Sequence, residues 1–166
     1  MVILGLDPGS LHTGYGLVER SGSRLIVLDH GRFSCPKTQS VPERLATLCA
    51  RLDQLLDQVT PALVGVEAPF FGVNARSLVM LAQARGALLA RLAARRLPIV
   101  EYSPAEVKST VTGNGRADKT QVARMVGLLL GFGTGKLPPD ATDALAIAVT
   151  AAQRFRFDQR VRGHGE

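Results

Sequence analysis

The sequence predicts an α/β fold, a mixed five-stranded sheet with helices on both faces, and three observations predict it. The opening "MVILGLD" is a continuous apolar run of strand length. "GYGLVER" and "RLIVLDHGRFS" follow across short Gly- and Ser-marked turns, the pattern of an antiparallel three-strand meander. Two more strand-like runs, "ALVGVE" and "PIVEY", each come after a helical pattern, an order that suits a mixed sheet covered by helices.

The elements follow in order. From Ser40, Leu45, Leu48, Leu52, Leu55, Leu56 and Val59 recur at helical spacings, so residues 41–59 form an amphipathic helix ended by Thr60-Pro61. A long helix is expected from about Ala75 to Arg96, with further helices from Pro104, Lys119 and about Ala141. "SVPE" from Ser40, "SPAE" from Ser103 and "DKTQ" from Asp118 read as capping boxes at three of these starts. In the long helix Leu78, Leu81, Leu88 and Leu92 make one stripe, and Val79, Met80, Ala84, Ala87 and Ala90 widen it nearly all round. A helix apolar on most sides is buried on most sides; it is either a central core helix or a face that meets a second copy of the chain. Residues 1–155 read as one domain, and residues 156–166 as a basic, mobile tail without periodicity.

With 166 residues, 46% of them hydrophobic, the chain can fill one ordinary core. No run approaches the roughly eighteen consecutive apolar residues of a membrane span, and the first residues read as a strand and not a charged leader, so a cytoplasmic protein without membrane contact is expected. Cys35 and Cys49 are isolated, and His12, His30 and His164 lack ligand spacing, which argues against disulfides and zinc. The net charge of +6 suits a polyanionic partner, and sixteen of the twenty basic residues are arginine, the better bidentate phosphate ligand. "GFGTGK" lacks the spacing of a phosphate-binding loop, since Leu137 follows the lysine and a helix precedes it. "DPGSLHTGYG" could be a phosphate-cradling turn between strands, and "TGNGRADK" is a loop flanked by Lys108, Arg116 and Lys119, either simply solvated or gripping phosphate.

The acids are more informative. Asp7 ends the first strand and Glu67 ends the fourth, while Asp140 and Asp143 stand at the mouth of the apolar run "ALAIAV". Each has an ordinary reading: Asp7 before Pro8-Gly9 and Glu67 before Ala68-Pro69 as turn residues, Asp140 and Asp143 as a fourth cap. An ionised carboxylate beside apolar strands is nevertheless costly unless paired or bound to a metal. Four of them brought to one edge of an α/β sheet make an all-oxygen site for hard cations such as magnesium or manganese. Two such ions clamp the attacking and leaving oxygens of phosphoryl displacement, so a basic chain with this acidic cluster reads as a nuclease.

"GLDPGSLHTGYG", "VEAPFF" with "VNARS" and "LAQARG" after it, "EVKSTVTGNGRADKTQV" and "PPDATDALAIA" together resemble the successive motifs of RuvC, the bacterial Holliday-junction resolvase family, in family order over nearly the whole chain. The resemblance implies a ribonuclease H-like fold, a homodimer and paired symmetric nicks in a four-way DNA junction, leaving 5′-phosphate and 3′-hydroxyl ends. By resemblance Asp7, Glu67, Asp140 and Asp143 are the catalytic carboxylates holding two Mg2+ ions, with Mn2+ as a substitute. It further casts Lys119 as the group stabilising charge on the scissile phosphate, Lys108 and Arg116 as backbone contacts, Phe70 as an aromatic wedge, and Asn74 and Arg76 as residues near the scissile step. The RuvA–RuvB branch-migration complex is the implied partner. A sugar-kinase-type phosphotransferase also opens with a strand and Asp-x-Gly, but such proteins need two domains to enclose ATP.

Overall fold

The computed structural model describes residues 1–68, 75–132 and 139–162, with the side chains of Pro139, Asp140 and residues 156–162 left out. Along the chain run β1 (Val2–Asp7), β2 (His12–Ser21), β3 (Arg24–Ser34), α1 (Val41–Gln58), β4 (Leu63–Glu67), α2 (Ala75–Ala94), β5 (Ile99–Tyr102), α3 (Pro104–Thr112), α4 (Lys119–Leu129) and α5 (Pro139–Arg162). The sheet order is β3-β2-β1-β4-β5. β1, β2 and β3 pair antiparallel as the expected meander, whereas β1–β4 and β4–β5 are parallel, each reached through a helical crossover.

Alternation along the strands divides the core in two. Ile3 and Leu63 belong to a cluster with residues of α3, α4 and α5, among them Val107, Val122 and Leu145. Leu4, Leu6, Val64 and Val66 face the other way, onto Leu48, Leu52, Leu88 and Leu92 of α1 and α2. Gly16, Gly5 and Gly65 lie side by side across β2, β1 and β4 on the α5 face. A Cβ at Gly5 would stand 2.1 Å from the Ala144 carbonyl oxygen, one at Gly16 2.8 Å from Leu145 Cδ2, and one at Gly65 3.0 Å from Ile147 Cγ2. This glycine row lets α5 lie almost on the sheet backbone, closer than any side chain would permit.

The three expected capping boxes form, Ser40 with Glu43, Ser103 with Glu106, and Asp118 with Gln121. The fourth cap reading falls on side chains outside the described residues. α5 begins at Pro139, not near Ala141, because proline suits the first helical position where no N–H partner is needed; Asp140 is therefore inside the helix. At its far end α5 continues to Arg162, past the residue 156 at which a tail was expected. α2 ends at Ala94, two residues short of Arg96, whose left-handed φ of 56° turns the chain toward β5.

α2 also corrects the central-core reading. Only Ala84, Leu88 and Leu92 are buried, and Val79 is 57% exposed. By length and composition alone this helix could cross a membrane, but one side of it rests on α1 and the sheet. Asp53 and Asp57 of α1 pair with Arg91 and Arg95 along that contact.

Candidate active site

The register Leu6↔Val66 sets the ends of two neighbouring parallel strands together, so Asp7 and Glu67 emerge side by side at their C-terminal edge. Both share the strand face of Gly5 and Gly65, the face that α5 covers. Asp143 immediately precedes Ala144, the residue seated over Gly5, so the sunken helix delivers its carboxylate to the same edge. Beyond Asp7 the "DPGSLHTGYG" segment makes a tight turn. The fully buried Thr13 hydroxyl donates to the Gly9 carbonyl at 3.3 Å, and a Cβ at Gly9 would lie 2.1 Å from the His12 carbonyl.

The electrostatics are those of a crowded acidic site. Burial first, and the negative charge of Asp143 second, hold the Glu67 carboxyl above the usual carboxylate range; Lys119, a hydrogen bond with Asp7, and Lys108 work in the opposite direction. Lys119 Nζ donates to Asp143 Oδ2 at 3.1 Å. That bond and the charge of Asp143 raise the affinity of Lys119 for its proton, with Asp7 and Glu67 adding to the effect and partial burial opposing it. Its side chain is 84% exposed, which leaves the ammonium open to solvent on its outer side.

Three of the four expected carboxylates and Lys119 thus converge. The fourth, Asp140, is placed by its backbone in the first turn of α5, one helical turn before Asp143; its side chain lies outside the described residues. Among the described residues no three His, Cys, Asp or Glu side chains already stand as a ready-made metal cluster, and the Lys119 ammonium engages Asp143. The donor set still fits a hard divalent ion: three carboxylates, neutralised in part by one ammonium, and no softer ligand among them.

Of the expected DNA contacts, Arg76 is exposed on the first turn of α2. Arg116 is exposed on the turn between α3 and α4, its amide donating to Asn114 Oδ1 at 3.0 Å after Gly113, at φ 78°, closes α3. Phe70 and Asn74 lie outside the described residues. Lys108, on α3, is close enough for its charge to favour ionisation of Glu67, as the last of the causes acting there. Sequence reasoning missed Arg85, whose Nε–H donates to the Glu67 main-chain carbonyl at 3.2 Å; its signal was a lone arginine in the middle of an apolar helix.

The family model described as "Crossover junction endodeoxyribonuclease RuvC" matches residues 3–151. A relative of that name from Alkaliphilus oremlandii is 39% identical over 159 residues, covering 96% of this chain and 97% of its own. Another, from Anaeromyxobacter dehalogenans, is 44% identical over 165 residues, covering 99% and 88%. Among solved structures, Thermus thermophilus RuvC in complex with a Holliday junction substrate superposes with a TM-score of 0.88 at 32% identity, over 95% of this chain and 96% of that one. The mixed five-stranded sheet is accordingly the ribonuclease H-like fold.

Proposed function

The chain belongs to the RuvC family of crossover junction endodeoxyribonucleases, and from that premise we propose that it resolves four-way DNA junctions by metal-dependent hydrolysis at the edge formed by Asp7, Glu67 and Asp143. The observation that carries this reading is the convergence of three acids from β1, β4 and α5, crowded enough to hold the Glu67 carboxyl above the usual carboxylate range and to draw in Lys119. Carboxylates gathered at such cost are explained by a cation.

Asp7, Glu67, Asp143 and Asp140 would hold Mg2+, two ions per site, with Mn2+ as a substitute. Bound there, the metal would supply positive charge for activating water and stabilising the departing 3′ oxygen. The chain's own groups prepare that site. Lys108 and Lys119 ease ionisation of Glu67, whose carboxyl must give up its proton to ligate, so activity rises as the pH climbs above the usual carboxylate range. The open side of the Lys119 ammonium is available to a phosphate oxygen as charge develops on it. Arg76, Lys108, Arg116, Phe70 and Asn74 are the proposed DNA contacts.

The product is a nick with 5′-phosphate and 3′-hydroxyl ends, made in symmetric pairs by a homodimer. Support for a dimer comes from the exposed apolar side of α2, Val79 above all. A cytoplasmic location and hand-over from the RuvA–RuvB complex complete the proposal, both resting on family membership. Cleavage of an end-labelled four-way junction, with Mg2+, Mn2+ or EDTA, beside a linear duplex and an RNA–DNA hybrid, tests it. Paired metal-dependent cuts confined to the junction are expected; equal cutting of all substrates would overturn the junction assignment, and binding without cutting in either metal would overturn the nuclease.

A further inference from the structure

An arginine within an apolar helix needs a reason. Arg85 follows the buried Ala84 on α2, and its side chain is 14% exposed. A guanidinium so placed is costly unless its donors are taken up. Nε–H donates to the main-chain carbonyl of Glu67, and Nη2 forms an ion pair with the carboxylate of Glu101 on β5, though it has no hydrogen-bond partner among the described residues. Glu101 is the cross-strand partner of Val66, so one planar fork spans the last rungs of the β4–β5 pairing. From the other side the Ala68 amide donates to the Tyr102 carbonyl at 2.8 Å. The peptide that follows Glu67 is therefore held at its oxygen by α2 and at its nitrogen by β5.

α2 packs on the sheet face opposite to the one on which the Glu67 carboxyl emerges. Arg85 reaches the strand end from behind and touches only its backbone. The groups that bear on the ionisation of the carboxyl are Asp143, Lys119, Asp7 and Lys108. From this geometry we infer that Arg85 is a positioning residue, which fixes the direction of the Glu67 side chain by clamping its carbonyl against α2 and β5. The inference deepens the function proposed above and rests on it for the role of Glu67. Outer contacts that orient a ligand are worth about 10–100-fold in metal affinity or activity.

The test uses the full chain with Arg85→Met, which removes both the hydrogen bond and the ion pair, Arg85→Lys, which keeps charge without the fork, and Glu101→Gln, on a half-exposed carboxylate, which stays informative if Arg85→Met does not fold. Three quantities are measured: hydrogen exchange of the β4 and Ala68 amides in EDTA, calorimetric binding of Mn2+, and single-turnover cleavage of a junction whose dissociation constant is also determined. For Arg85→Met the expected results are about tenfold faster exchange confined to this strand end, and Mn2+ affinity and cleavage lowered by about 10–100-fold, with junction affinity within about twofold of wild type. Arg85→Lys should recover only part of the loss, and Glu101→Gln should fall between it and wild type. A merely structural role would lower the melting temperature and leave Mn2+ affinity of the folded protein and local exchange at wild-type values, and that result overturns the inference. Absence of cleavage by the wild-type chain would instead overturn the proposed function, a separate and distinguishable failure.

Discussion

The two faces of the sheet are packed by opposite means. On one, Leu4, Leu6, Val64 and Val66 interdigitate with the leucines of α1 and α2, and half-exposed ion pairs run along the seam between the two helices. On the other, three aligned glycines bring α5 into contact with the strands themselves. The first arrangement is tolerant, because side chains change rotamer and adjoining leucines repack. The second is not, since a main-chain carbonyl against a main-chain strand has no rotamer to change. The carboxylates lie on the intolerant face, so stability is contributed by both faces while the geometry of the site depends on one.

The comparison fails at once if the acidic edge is not the reactive centre. Asp7→Asn and Asp143→Asn should each lower junction cleavage by ~10³-fold or more while junction binding, read by gel shift, stays intact; retained cleavage would remove the site from the glycine-row face. The next contrast separates stability from activity. Gly5→Ala should cost about 1–3 kcal/mol or more from overpacking and, by lifting α5 and Asp143, lower cleavage per folded molecule. Leu4→Ala on the other face should cost a similar or larger amount, about 2–5 kcal/mol, yet leave cleavage per folded molecule near wild type. Equal activity losses in the two variants would erase the distinction drawn between the faces.

A smaller effect concerns Glu67. Its carboxyl holds its proton more tightly in the folded chain than in an unfolded one. Its contribution to stability is thus present while it is protonated and is lost as the pH rises from the ordinary carboxylate range through its raised value. In EDTA, Glu67→Gln should raise the melting temperature at about pH 8 by roughly 2–4 °C and leave it unchanged near pH ~4, below the onset of that ionisation. An equal gain at both would mean that the cause is packing and not charge. Smallest of all, Asp57→Asn loosens an exposed pair with Arg95 on the tolerant face and should cost less than about 1 kcal/mol, less still at high salt, by thermal melts at two ionic strengths.

Much of this was legible in the sequence because it is local. Period-two and helical spacings gave the strand and helix order, and the boxes at Ser40, Ser103 and Asp118 form as their spacing implied. Asp7 and Glu67 stood out as acids at strand ends, a position that depends only on their immediate neighbours. What was not legible depends on contacts between distant residues. Lys119 meets Asp143 across 24 positions, Lys108 acts on Glu67 through space, and Arg85 touches a carbonyl, which no side-chain pattern advertises. The excess of apolar residues on α2 was visible, but how little of that surface this chain covers itself became apparent only from the packing.

The glycine row has one more consequence, in temperature. Where a site is held by side chains, warming populates new rotamers and the reacting groups drift apart well before the molecule unfolds. A helix resting on bare strand backbone has few such intermediate states to enter. Single-turnover cleavage should therefore accelerate on a straight Eyring line nearly to the melting transition and then collapse together with it, so that loss of activity and loss of fold form one cooperative event.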